Sequence, residues 1–90
     1  MTKFVYLSDS VRYKELRGDG VLLDLDSEQY FGLNEVANSF WHYCQGEPDL
    51  VKVLDQLENE YTIDRQTLEK DINVLLEHLQ QAGLIRLEAG

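Results

Sequence analysis

The chain has 90 residues, enough for one small domain to close a core, and 43% of them are hydrophobic, a share that argues against wholesale disorder. Seventeen acidic residues against eight basic ones give a net charge of −9, which repels phosphate backbones and anionic lipid and attracts basic partners. One cysteine leaves no internal disulfide and suits a reducing cytoplasm; no apolar run nears the roughly 20 residues of a membrane span, and Met1–Leu7 is too short for a signal peptide.

Lys3 to Leu7 and Val11 to Leu16 read as strands, split by Ser8-Asp9-Ser10. Arg17-Gly18-Asp19-Gly20 is a turn, with two glycines free to take positive φ. Its Arg-Gly-Asp triplet matches an integrin ligand, but nothing else in the chain points outside the cell. Val21, Leu23 and Leu25 then alternate with Leu22, Asp24 and Asp26, the period-2 pattern of a strand whose carboxylate-bearing face is wetter. Asp26-Ser27-Glu28 supplies turn chemistry, because short polar side chains bond back to their own backbone. Gln29 to Leu33 resumes the extended pattern with the strand-favouring Tyr30 and Phe31, and Asn34 stands where a helix needs a cap. Phe31 and Leu33 share one face of that strand and Tyr30 takes the other.

Three helical patterns follow. Val36, Ala37, Phe40, Trp41 and Cys44 form one apolar stripe ended by Gly46, with Phe40 and Trp41 as core anchors under the hairpin. Pro48 suits the first turn of the next helix, where Leu50, Val53, Leu54, Leu57 and Tyr61 recur at helical spacing. Asp64 caps the third helix, whose stripe is Leu68, Ile72, Leu75, Leu76 and Leu79, and Gly83 stops it. Leu84 to Leu87 is a last short strand or an extended tail. Strands first and helices after predict an α+β fold: a three-stranded antiparallel sheet followed by a three-helix bundle spaced like a winged helix-turn-helix, all within one domain over residues 1–90.

Val74 lies about 100° from Leu75 around the third helix, on a flank shared with Thr67, Asp71 and His78. Either Val74 is a singly exposed apolar residue, or this strip is one wall of a groove whose other wall is the Gln29–Leu33 strand. If that strand is a sheet edge, it offers a row of unpaired backbone donors and acceptors, which a peptide can extend and through which two copies can pair as a homodimer.

The run LLDLDSEQYFGLN over residues 22–34, the helix with Trp41, Tyr61-x-x-Asp64, Asp71 and the closing Leu79-x-x-x-Gly83-Leu84-Ile85 resemble the PqqD-like family. These are the leader-recognition elements of ribosomally made natural products, and the nearest in appearance are the small stand-alone proteins of lasso-peptide pathways. The resemblance covers Val5 to Leu87, is most specific at Tyr30-Phe31-Gly32-Leu33-Asn34, and is loose over Met1–Arg17. It implies a non-catalytic module without cofactor, which takes the leader segment of a precursor peptide as an added strand and passes it to a separate leader protease or other maturation enzyme. By that resemblance the peptide-binding residues are Glu28, Gln29, Tyr30, Phe31, Gly32 and Leu33 on the strand and Thr67, Asp71, Val74, Leu75 and His78 on the helix.

Competing readings have less behind them. The alternative is a winged-helix interaction or transcription-regulator domain with no peptide client. As a DNA reader the third helix would bring Arg65 and Lys70 against Asp64, Glu69, Asp71 and Glu77, too little charge to neutralise phosphates. As a nucleophile, Cys44 lies on an apolar stripe where cysteine acts as a small hydrophobe. A metal shared by His42 and Cys44 fails because the two point about 200° apart on a helix, so no metal site is expected. Asp24 and Asp26, on one strand face, could pair for acid–base work but read more simply as a wet face.

Overall fold

The computed structural model describes residues 3–89. In chain order they form β1 (Lys3–Leu7), β2 (Val11–Leu16), β3 (Asp19–Asp24), β4 (Gln29–Leu33), α1 (Glu35–Cys44), α2 (Leu50–Glu60), α3 (Arg65–Gln81) and β5 (Ile85–Ala89). The fold is α+β, with an antiparallel sheet in the order β2-β3-β4 followed by three helices. The C-terminal run settles as a strand, and its partner is β1: Lys3 faces Ala89 and Leu7 faces Ile85 in a separate two-stranded ribbon.

Local chemistry sets the boundaries. Arg17 and Gly18 both take positive φ (52° and 89°), the backbone of a two-residue turn whose twist matches the flanking strands. Leu16 and Asp19 close that hairpin, so Asp19 and Gly20 belong to β3 and not to the turn. Gly20 is needed for another reason: a Cβ there would run into the side-chain oxygen of Asn38 and the ring of Tyr13. Asn38, buried on α1, accepts from the Tyr13 hydroxyl and donates to the Gly18 carbonyl at 3.1 Å, which ties the helix to the hairpin. Burial raises the Tyr13 hydroxyl above its usual pKa, with Glu15 adding to the effect and the Asn38 bond opposing it.

The helix caps read from the sequence are in place at Asn34 and Asp64, whose side chains accept from Ala37 N–H at 2.9 Å and Thr67 N–H at 3.3 Å. α2 differs. It begins at Leu50, capped by Asp49 through Val51 N–H at 3.0 Å, so Pro48 lies outside it and Tyr61 is its C-terminal cap residue. An aspartate oxygen satisfies a free donor, which proline cannot do, and that moves the boundary inward. At the end of α3, Gly83 (φ 76°) bonds back to Gln80 at 3.0 Å and Leu84 N–H to the Leu79 carbonyl at 2.9 Å, a Schellman turn that sends the chain into β5.

The core joins Leu22 and Leu33 from the sheet, Phe40 and Trp41 from α1, Leu57 from α2, and Leu68, Ile72, Leu76 and Leu79 from α3. Cys44 is buried there, and desolvation pushes its thiol up to about 12, so it is inert at neutral pH. The strand-face assignment for β3 is inverted. Leu22 and Asp24 face inward, whereas Val21 and Leu23 are half-buried on the outer face, and Asp26 lies in the loop beyond the strand. A carboxylate can sit inside because its bonds are satisfied: Asp24 takes Asp26 N–H at 3.1 Å and the Ser10 and Ser27 hydroxyls at 3.0 Å each. Those donors, the Asp26 N–H first, hold its pKa below the usual 3.8 against the opposing effect of desolvation.

Candidate functional site

Among the described residues, no strand covers the outer edge of β4. Which of its groups are free follows from the turn at Arg17-Gly18. Residues flanking a two-residue hairpin turn exchange hydrogen bonds, so Asp19 points its polar groups at β2, and alternation does the same for Val21 and Leu23. Leu25 N–H bonds to the Ser10 carbonyl at 2.8 Å, in the same phase. Gly20, Leu22 and Asp24 therefore bond β4, through Leu33, Phe31 and Gln29. That leaves the N–H and C=O groups of Tyr30 and Gly32 facing the open edge.

The other free edge of this sheet, β2, carries Arg12, Lys14 and Glu15, the charges that discourage strand pairing. β4, reading QYFGL, carries no charge and no proline.

Where β4 runs into α1, a cleft of about 450 Å³ opens between α1 and α3. One wall is α3, with Asp71, Val74, Leu75 and His78 over Ile72. Val74 is 48% exposed and Leu75 half-buried, so both offer apolar surface where the core stripe of α3 ends. The opposite wall is not β4, as the sequence led us to expect, but the first turn of α1 that continues it: Asn34, Val36 and Ala37. A smaller cleft of about 40 Å³ joins Gln29, Tyr30 and Phe31 of β4 to Ala82 and Leu84, where the Schellman turn leaves α3. The smaller cleft thus meets β4 at Gln29–Phe31, and the larger one lies between α1 and α3 just past the strand's C-terminal end.

Of the residues singled out from sequence, Asp71, Val74, Leu75 and His78 line the larger cleft and Gln29, Tyr30 and Phe31 the smaller, while Glu28, Gly32, Leu33 and Thr67 line neither. Tyr30 is 74% exposed, Phe31 half-buried and Gly32 exposed, while Leu33 is core, so only its backbone is near the edge. Glu28 is exposed in the loop with φ 58°, and Thr67 lies at the far end of α3 as a partner of its cap; neither lines a cleft. Val36, on the apolar stripe of α1, is only half-buried, because that stripe is wider than the core that covers it. Asn34 was legible as a cap but not as a wall.

The rest of the surface bears on what this site can do. Arg65 is held by Asp55 at 2.8 Å, Glu69 at 3.2 Å and Glu58 at 3.7 Å, which raises its pKa further and leaves it poorly placed for a phosphate. Among the described residues, no three His, Cys, Asp or Glu side chains group to hold a metal, and no helix is long and apolar enough to cross a membrane.

A family model described as coenzyme PQQ synthesis protein D (PqqD) matches residues 19–85, from the start of β3 to the start of β5. Among solved structures, the chain is similar to TbiB1 in complex with the TbiA(beta) leader peptide: TM-score 0.84, 30% identity, covering 90% of this chain and 94% of that one. It is also similar to a lasso peptide synthetase B1 complexed with the leader peptide, at TM-score 0.77 and 26% identity, covering 91% and 96% of the two chains. No curated protein matches significantly.

Proposed function

The chain belongs to the PqqD family, and on that footing we propose that it binds the leader segment of a ribosomally made precursor peptide in lasso-peptide biosynthesis. The leader adds as a fourth strand to β4 and is presented to a separate leader protease or other maturation enzyme. The observation that carries this reading is the pairing of an uncharged, uncovered strand edge with a cleft of about 450 Å³ that opens between α1 and α3 where β4 runs into α1. Leader complexes of the two similar structures support it.

Strand addition divides the work. Main-chain bonds from Tyr30 and Gly32 supply affinity for any extended segment, and the clefts select alternate side chains. Val36, Val74 and Leu75 favour an apolar anchor, while Asp71 and the net charge of −9 favour a basic leader and speed its capture. The chain itself makes and breaks no bond: its one cysteine is buried with a pKa near 12, and the role is that of a cytoplasmic carrier without cofactor. The same edge would join two copies into a homodimer at high concentration, in competition with the leader. Fluorescence anisotropy with labelled leaders of short reading frames beside the gene tests the proposal. Saturable binding that unlabelled leader displaces is the expected result; indifference to every such leader would refute it.

A further inference from the structure

Asp24 is one of two buried polar side chains among the described residues, and its bonds reach beyond its own turn. The Asp26 N–H at 3.1 Å and the Ser27 hydroxyl at 3.0 Å donate to its carboxylate, and the Glu28 N–H donates to its carbonyl at 2.7 Å, so Asp24 caps the loop that leads into β4. An aspartate that only capped this loop could stand in water, as Asp64 does at the start of α3. The further bond turns inward. Oδ1 of Asp24 also accepts from the Ser10 hydroxyl at 3.0 Å, in the connector between β1 and β2. The Ser10 and Ser8 hydroxyls are bonded at 2.9 Å, and the Ser8 N–H donates to the Leu84 carbonyl at 3.0 Å, where the chain leaves α3.

The two ends of this chain of bonds are the two walls of the smaller cleft. Gln29, Tyr30 and Phe31 follow the loop that Asp24 caps, Ala82 and Leu84 stand at the other end, and Asp24 and Ser27 are themselves in the lining. Among the described residues no ladder joins these walls, since β4 pairs with β3 and β5 with β1. Core packing and the Asp24–Ser10–Ser8 chain therefore set their spacing. With a volume of only about 40 Å³, the cleft keeps its shape only if its walls keep their distance. Any slack there must be removed when a strand adds, at a cost in affinity.

We propose that Asp24 is a positioning residue for peptide recognition: through Ser27 on one side and Ser10 and Ser8 on the other, it fixes the first residues of β4 against the turn at the end of α3, so that the edge is ordered before the peptide arrives. This rests on the strand-addition reading and deepens it, by giving the ordering of the receptor edge to one inward-facing side chain.

The test compares Asp24→Asn and Ser27→Ala with Leu54→Ala, a core change on α2 outside the bonded chain and both clefts. Ser27 is exposed, so its alanine variant folds even if Asp24→Asn does not. The probe is the tightest linear peptide selected on the wild-type protein from a displayed random library, labelled for anisotropy and read at a temperature where circular dichroism shows the variants folded. Asp24→Asn and Ser27→Ala should each weaken it about tenfold, the cost of re-ordering about one backbone residue on binding. Leu54→Ala, though it melts lower, should bind within about twofold of wild type, and Ser27→Ala added to Asp24→Asn should cost less than about twofold more, because the two act through one bond. In an alanine scan of the peptide, contributions should shrink at the end beside Gln29 and persist at the end that Val74→Glu affects. Affinity losses that simply follow melting temperature across the variants, or unchanged binding in Asp24→Asn and Ser27→Ala, overturn the positioning role and leave strand addition standing. Binders indifferent to Gly32→Pro, which removes an outward N–H of β4, or no linear binders at all, overturn strand addition at this edge and the positioning role with it.

Discussion

Replacing Gly32 by proline separates the open edge from the fold. The phase of the sheet puts the Gly32 N–H on the uncovered side of β4, so proline removes no bond to β3. A bound strand, in contrast, loses one main-chain hydrogen bond, worth about 1 kcal/mol, and is left with a carbonyl facing the pyrrolidine ring, which costs about 1–3 kcal/mol more. The sum, about 2–4 kcal/mol, weakens leader binding roughly 30- to 1,000-fold. Phe31→Pro is the control, because the Phe31 N–H faces Leu22 in the ladder and its ring is half-buried against the core. Thermal melting by circular dichroism should show Gly32→Pro within about 5 °C of wild type and Phe31→Pro far below it, since a loss of 1 kcal/mol in a domain of this size moves Tm by about 4–8 °C. Anisotropy with a labelled leader then reads binding on the folded variant. Wild-type affinity in a well-folded Gly32→Pro protein would refute strand addition to β4, and a collapse of its melting temperature would refute the assignment of which groups face outward.

Val74→Glu should weaken leader binding tenfold or more while shifting stability by no more than about 0.5 kcal/mol, because the side chain is already 48% exposed on the cleft wall; parallel losses in anisotropy and in urea melts would make Val74 core. Asp71→Lys should weaken a basic leader, and the difference from wild type should shrink as salt rises, since exposed charges are screened; a gap constant from low to high ionic strength would leave the charge no role. Asp24→Asn should lower Tm at neutral pH. The folded carboxyl titrates below its usual 3.8, so its contribution is complete above the unfolded value and is lost as pH falls through the folded one; the Tm difference between wild type and variant should therefore be full above about pH 5 and shrink as pH falls below the usual 3.8. A difference that stays constant as pH falls well below the usual 3.8 would contradict the hydrogen-bonded carboxylate.

What could be read from the chain alone was whatever is decided within a few residues. Asn34, Asp64 and Gly83 announce helix ends because a cap satisfies donors or acceptors next to it. Arg17-Gly18 announces a turn for the same reason. The pairing of β1 with β5 was out of reach, since neither strand contains a signal for a partner at the opposite end of the chain. Asp24 misled through a sound rule: alternation assumes that polar means wet, and it fails where three neighbours supply the hydrogen bonds water would have made. The cleft was half legible. The α3 strip follows from helical geometry, but which part of the α1 stripe the core leaves bare depends on how the two helices cross, and Val36 could not show that.

The ribbon that zips Lys3 beside Ala89 brings the first and last described residues to one place, on strands separate from the receptor sheet. A short linker from Ala89 to Lys3 therefore lets the fold be reopened at Arg17-Gly18, the exposed tip of a hairpin that takes no part in the clefts. Such a circularly rearranged protein would keep its docking edge intact.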